Sequence, residues 1–312
     1  WQNAPHLVHD LPFIVPNYDW WEAPFYGIGL RVYDMLAGKL GFGRSRILTR
    51  DETLERLPTL ETKGLRGGVI YYDGQFDDAR LAINMAQTAA ELGGTLLNYA
   101  RVTDLIKSDG MVTGAHATEL LGNTELELRA KVVVNATGAW SDSIRRMDDP
   151  DARSMIQPSQ GVHLVLDKSF LPGDSAIMVP HTDDGRVLFA IPWYDRVVVG
   201  TTATPVEEAL LEPRPLEEEV EFLLAHTARY LTKNPTREDV LSIFAGIRPL
   251  VASDGEAETA ALSRDHTLHI TSSGLVTIAG GKWTTYRKMA EDTVDQAATL
   301  AGLEERPCVT RK

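Results

Sequence analysis

The stretch Leu275-Val276-Thr277-Ile278-Ala279-Gly280-Gly281-Lys282-Trp283-Thr284-Thr285-Tyr286-Arg287-Lys288 joins an apolar run to a glycine pair and then to a segment with helical spacing. A short run of this kind is the pattern of a strand buried on both faces. The glycines turn the chain, and the spacing predicts a long helix from Thr284 to about Ala301. A helix N-terminus carries unpaired N–H groups and the positive end of the dipole, so this junction, with Lys282 on it, suits a negatively charged ligand. An ordinary strand-to-helix turn capped by Thr284 or Thr285 has the same local pattern. The segment by itself leaves both readings open.

A second apolar run occupies residues 131–135, with three consecutive valines, and enters Ala136-Thr137-Gly138-Ala139-Trp140. It too predicts a buried strand delivering a glycine turn. Upstream, residues 78–92 place Ala82, Met85, Ala86 and Ala89 on one helical face, with Asp77 as N-cap and Gly93-Gly94 as the stop. Residues 95–100 then predict a short strand, and 102–107, 112–118 and 125–129 an antiparallel meander. Between 160 and 200 the pattern becomes antiparallel sheet, with strands around 163–166, 187–191 and 197–199. Residues 215–231 predict an acidic amphipathic helix with Val220, Leu223, Leu224 and Tyr230 towards the core and Glu217, Glu218 and Glu219 as a solvated first turn. Further strands are expected near 242–245 and 268–271.

The expected fold class is therefore mixed α/β. A nucleotide-binding layer is interleaved with an antiparallel substrate sheet, to which residues 1–70 and 151–272 belong, whereas 71–150 and 273–312 form the layer.

With 312 residues and 43% apolar composition the chain can bury a sizeable core. Its net charge of −13 disfavours nucleic-acid binding, which needs clustered Lys and Arg against phosphates. Cys308 is the only cysteine, so an intrachain disulfide and a thiolate zinc site are excluded and a reducing compartment is expected. No apolar run approaches the roughly 20 residues that span a bilayer. The sequence opens at Trp1 and reads as the interior of a longer protein. There is no Gly-x-Ser-x-Gly elbow, no His-Glu-x-x-His and no P-loop, so hydrolase and kinase readings have no motif.

Among charged candidates, Arg248 lies between apolar flanks in Phe244-Ala245-Gly246-Ile247-Arg248-Pro249-Leu250, where a buried guanidinium needs a partner, either an anionic ligand or a structural carboxylate. Arg264 sits beside Asp265, which weakens its candidacy. His163, after Gln160-Gly161-Val162, can accept an alcohol proton near neutrality or can be a satisfied core histidine. His266 and His269 are three apart in an expected strand, on opposite faces, and do not make a metal pair.

Taken in order, 4–7, 33–34, 74–81, Val134 to Trp140, Ile191-Pro192-Trp193, Gly200-Thr201-Thr202, Gly246 to Leu250, Ser263-Arg264-Asp265 and Gly280 to Lys288 resemble the FAD-dependent glycerol-3-phosphate dehydrogenase family. That family lies within the wider flavoprotein group of D-amino-acid and glycine oxidases. Ala-Thr-Gly marks the wider group, whereas the Arg-Pro and Gly-Gly-Lys-x-Thr-Thr-Tyr-Arg-Lys segments together are specific.

The resemblance implies a D-amino-acid-oxidase or glutathione-reductase-like fold, FAD as cofactor, and oxidation of glycerol 3-phosphate to dihydroxyacetone phosphate by hydride transfer. Electrons would pass to quinone. It implies that Arg248, Arg264 and Lys282 surround the substrate phosphate and flavin edge, with His163 as base near the reacting carbon. It also implies that Val102, Ala136, Thr137, Gly138 and Trp140 meet the ADP side of FAD, and Gly280, Gly281, Lys282, Trp283 and Thr284 the flavin ring. A cytoplasmic, peripherally membrane-bound protein is expected, and a homodimer is compatible with it.

The family's Gly-x-Gly-x-x-Gly turn for the FAD pyrophosphate is missing from these 312 residues, so this stretch alone is expected to bind FAD poorly and to be inactive. Ala203 stands after Gly200-Thr201-Thr202, where the family carries an acidic residue. The competing expectations are a flavin oxidase of amino or hydroxy acids, a glycerol-3-phosphate oxidase, and a non-catalytic remnant.

Overall fold

A computed structural model describes residues 3–38, 41–252 and 266–310. In chain order the chain begins with β1 (Val8–Asn17), α1 (Glu22–Ala37), β2 (Arg46–Thr49), α2 (Arg50–Arg56), β3 (Gly67–Phe76) and α3 (Asp78–Glu91). There follow β4 (Ala100–Ser108), β5 (Met111–Glu119), β6 (Thr124–Arg129), β7 (Val134–Asn135), α4 (Ser141–Asp148), β8 (Ile156–Asp167), β9 (Ala176–Val179) and β10 (Leu188–Trp193). The rest comprises β11 (Arg196–Gly200), β12 (Thr204–Pro205), α5 (Glu217–Ala228), β13 (Val240–Val251), β14 (His266–Ile270), β15 (Val276–Gly280) and α6 (Tyr286–Leu300). The fold class is mixed α/β, as the sequence predicts. The chain divides into two units, one of Trp1–Met85, Gly161–Ala203 and Glu212–Gly246, the other of Ala86–Gln160, Thr204–Leu211 and Ile247–Lys312.

The first unit is built on a sheet in the order β8-β11-β10-β9-β1-β3-β2, with β13 also pairing β8. Strand β1 shows why the sheet has two packed faces. Successive side chains alternate in direction, and Leu11, Phe13 and Val15 enter one cluster with Tyr71, while Ile14 enters another with Leu48 and Ile70. On the first face Tyr26 and Leu30 of α1 pack against the cluster. On the second, Val220, Leu223 and Leu224 of α5 join Leu164, Leu166 and Val199. Full burial of one such side chain contributes about 1.5–3 kcal/mol.

Helix α5 corrects one expectation. The acidic first turn is not wholly solvated: Glu219 is buried, accepting the Leu216 N–H at 2.9 Å and the Thr202 hydroxyl at 2.9 Å. A charged cap reaching back to its own helix start satisfies an orphan donor, which outweighs the solvation lost. Tyr230 lies just beyond the helix and is half-buried.

The second unit contains two three-stranded sheets, the meander β4-β5-β6 and the sheet β14-β15-β7. In the latter β15 is central, antiparallel to β14 and parallel to β7, with Val276 opposite Val134. Strand β12 pairs the beginning of β8, Thr204 opposite Gln160. The apolar centre holds Leu105, Val112, Ala115, Ile144 and Leu275. Lys107 and Ser273 meet the buried carboxylate of Asp148 at 2.8 and 2.7 Å, linking β4 and the turn before β15 to the end of α4.

Here too the structure departs from expectation. The run 131–135 is a strand only at Val134–Asn135 and is not buried on both faces, Val134 being 40% exposed. It pairs β15 on one side only among the described residues, so one flank stays uncovered. Residues 95–99 form no strand, because no strand among the described residues offers them a ladder, and β4 begins at Ala100. Helix α3 forms as predicted, with Asp77 accepting the Arg80 N–H at 2.9 Å and the Gly94 N–H closing on Ala89 O at 2.8 Å. None of its side chains is buried, however, so Ala82, Met85, Ala86 and Ala89 do not contribute to a core.

Candidate functional site

The glycine junction at residues 280–282 lies wholly in the second unit. Gly280 and Gly281 both have φ of 72°, a region open to glycine and strained for other residues, so the turn out of β15 requires them. After the turn, Lys282 N–H donates to Thr285 Oγ1 at 3.2 Å, and the Thr285 hydroxyl donates to Lys282 O at 3.0 Å. Together with Thr285 N–H donating to Lys282 O at 2.9 Å, these bonds close the turn into α6. Lys282 is exposed, and its ammonium meets no carboxylate among the described residues.

The second glycine turn converges on the same place. The Asn135 side chain fixes it from beneath: its amide donates to Ser141 O at 2.9 Å, and its carbonyl accepts the Thr137 hydroxyl at 2.7 Å. Ala136 then lines, together with Gly280, Gly281, Lys282 and Trp283, a cavity of about 570 Å³. Beside α6 it is lined by Val294 and Ala297, and with Val134 and Ile278 its walls are mostly apolar. Lys282 is the cation among its lining residues. Pro249 of β13, next to Arg248, also lines the cavity.

In the first unit His163 is fixed by its neighbours. Its ring stacks on Phe244, centroids 4.9 Å apart and planes 9° from parallel. On the adjacent strand Gly200 sits opposite His163, and a Cβ there would overlap the imidazole. One residue earlier, Val162 N–H donates to Thr202 Oγ1 at 3.0 Å, and that hydroxyl donates to Glu219. The histidine backbone is thereby tied to α5 through a buried polar chain.

Comparison with known proteins supplies the lineage. The sequence profile described as FAD dependent oxidoreductase matches residues 11–287. The chain belongs to this FAD dependent oxidoreductase family. It is 45% identical to the mitochondrial glycerol-3-phosphate dehydrogenase of Arabidopsis thaliana, covering 100% of this chain and 50% of that protein. To the mitochondrial glycerol-3-phosphate dehydrogenase of Mesocricetus auratus it is 42% identical, over 98% of this chain and 43% of that protein. The X-ray structure of the glycerol-3-phosphate dehydrogenase from Bacillus halodurans complexed with FAD superposes with a TM-score of 0.81 at 34% identity, over 99% of this chain and 55% of that one. The chain thus spans about half the length of the relatives it matches.

FAD is the cofactor of the FAD dependent oxidoreductase family, and the second unit suits part of it. An apolar-lined cavity would suit a flat ring system, and Lys282 beside it would favour the negative charge of a reduced flavin edge. Gly280, Gly281, Lys282 and Trp283 are brought together with Ala136. Thr137 and Gly138 belong to the adjoining turn, and the Trp140 indole N–H is engaged with Ala209 O at 3.0 Å. Val102 packs its side chain against the Leu105 cluster, which leaves its backbone as the available contact. His163 belongs to the first unit, Arg248 and Lys282 to the second, and Arg264 lies outside the described residues.

Sequence reasoning missed Gly200, Thr202 and Glu219 as the support of His163. The capping spacing of Glu219 after Leu216 was a usable signal for its burial, whereas the register that puts Gly200 against His163 is tertiary information. No group of His, Cys, Asp and Glu among the described residues could hold a metal ion, and none of the described helices is long and apolar enough to cross a membrane.

Proposed function

We propose that this chain is the flavin- and substrate-binding portion of an enzyme that oxidises glycerol 3-phosphate to dihydroxyacetone phosphate. The observation that carries the reading is the 42–45% identity to glycerol-3-phosphate dehydrogenases across 98–100% of the chain. Site chemistry supports it. A phosphate monoester carries about −1.5 to −2 charge near neutrality, and Lys282 is a cation without a carboxylate partner among the described residues. Arg248 and Arg264 are assigned to the same anion.

The flavin supplies the hydride acceptor. The chain's residues have the remaining tasks: the cations hold the phosphate so that one carbon is presented, and His163, held by Phe244 and Gly200, takes the proton of the C2 hydroxyl. Ala136, Thr137, Gly138, Trp140 and the Val102 backbone are assigned to the ADP side of FAD. Quinone is assigned as electron acceptor, which places the protein peripherally at a membrane that contains it, consistent with relatives named as mitochondrial.

Steady-state turnover of the flavin-loaded full-length protein tests the substrate. Charge-assisted bonds contribute roughly 1.5–3 kcal/mol each, so glycerol, which lacks the phosphate, should fall at least about a hundredfold below glycerol 3-phosphate in kcat/KM. A higher kcat/KM for an amino or 2-hydroxy acid would contradict the reading. Stoichiometric hydrogen peroxide during turnover would replace quinone by oxygen as acceptor.

A further inference from the structure

Beside the Gly280–Lys282 turn a histidine and an aspartate connect β14, the neighbour of the strand that enters the turn, to the helix after it. His266 opens β14 and stands opposite Gly280 in the β14–β15 ladder. Its Nε2 lies 2.9 Å from Asp292 Oδ2, on the second turn of α6. The pair is largely sheltered, with side chains 20% and 30% exposed. The other oxygen of Asp292 accepts Lys288 Nζ at 2.6 Å. That bond, against a smaller opposing effect of burial and with help from His266, holds the Asp292 carboxyl below the usual carboxylate range. Asp292 is therefore an ionised acceptor towards which the imidazole N–H points.

The same two elements close on Gly281. A Cβ at that position would come 3.2 Å from His266 Cβ and 2.6 Å from Met289 Sδ, so Gly281 passes through a gap whose walls are β14 and α6. The width of that gap is set by what joins its walls, and the His266–Asp292 hydrogen bond joins them. Lys282 precedes the first turn of α6 and is bonded to Thr285 at its start.

We propose that His266 and Asp292 are positioning residues for the flavin edge, their bond fixing the tilt of the Gly280–Lys282 turn against the cavity. The inference rests on the flavin reading of that cavity and on the role given to Lys282. Neither residue lines the cavity, so both act through the turn.

Substitutions in the flavin-loaded full-length protein test it by flavin dissociation constant, visible absorbance of the bound flavin, and kcat and KM for glycerol 3-phosphate. A hydrogen bond to a charged group is worth enough that His266→Ala, folded by circular dichroism, should weaken flavin binding about tenfold and shift the flavin band. His266→Gln places an amide donor near the same point and should restore affinity to within about threefold of the unsubstituted protein. Asp292→Ala, which also releases Lys288, should be at least as impaired as His266→Ala, and the double variant should be no weaker than Asp292→Ala, because the His266–Asp292 bond is already lost there. Unchanged flavin affinity and spectrum in His266→Ala would overturn the proposal. So would a His266→Gln variant as impaired as the alanine one, or additive effects in the double variant, since either would indicate packing alone. If the unsubstituted protein holds flavin that glycerol 3-phosphate does not reduce, the substrate reading fails, while the flavin affinities still decide the role of the pair.

Discussion

The two units use apolar residues differently. In the first, Ile14, Leu164, Leu166 and Leu223 are fully enclosed between a sheet and the helices on its faces. In the second, Val134 and Val294 remain 40% and 63% exposed although both line the cavity beside α6. The first unit closes the larger core, although Phe25, Ile28 and Leu36 of α1 stay exposed, whereas in the second the exposed Val134 and Val294 line a space that also holds one cation, Lys282. Stability is thus expected to concentrate in the first unit and cofactor recognition in the second.

The sharpest way to break that contrast is to truncate one apolar side chain on each side. Leu164→Ala should cost about 2–5 kcal/mol by urea unfolding, because it leaves a cavity in a closed core. Val294→Ala should stay within about 0.5 kcal/mol in the absence of flavin. Equal costs would show that the second unit is packed as tightly as the first. Next in size, Lys282→Met should leave the unfolding midpoint nearly unchanged, as the ammonium has no carboxylate partner among the described residues. Binding of glycerol 3-phosphate should weaken by about 1.5–3 kcal/mol, read as KM. A Lys282 variant that is unstable but binds normally would reverse the assignment.

Glu219→Ala sharpens the first side. It strands the Leu216 N–H and the Thr202 hydroxyl, at about 1–3 kcal/mol of stability. Because Thr202 also accepts from Val162, kcat should fall through the displaced His163 while flavin affinity is kept. The smallest effect belongs to Asp148. Burial alone would raise its pKa, but hydrogen bonds from Lys107, Ser273 and Thr271 hold it below the ordinary value. A depressed folded pKa gives stability that is present above the unfolded value of about 3.9 and lost as the pH falls through the folded one. Lys107 is 37% exposed, so solvent screening limits the effect to about 1 kcal/mol. Melting of Asp148→Asn should therefore lie slightly below the parent at neutral pH and converge with it in acid, whereas parallel curves would show that the pair does not titrate with folding.

Much of this arrangement is legible in the residues. The junction of β15 with α6, the meander β4-β5-β6, helix α3 with its cap, and the strands between 160 and 200 follow from periodicity and glycine placement. What fails has a common cause. The runs 95–100 and 131–135 have strand composition, but a strand exists only where another supplies a ladder, and sequence pattern does not report the partner. The candidate site divides in the same manner. That two Gly turns share a cavity is foreshadowed by the strands that deliver them, whereas the stacking of His163 on Phe244 and the clearance at Gly200 depend on strand register.

The most direct measurement is the flavin absorbance of the full-length protein, held without oxygen, as glycerol 3-phosphate is added. The account predicts that the oxidised flavin bands bleach, and that the same addition to Lys282→Met requires a higher substrate concentration. Flavin that stays oxidised with glycerol 3-phosphate but bleaches with an amino or hydroxy acid would contradict it.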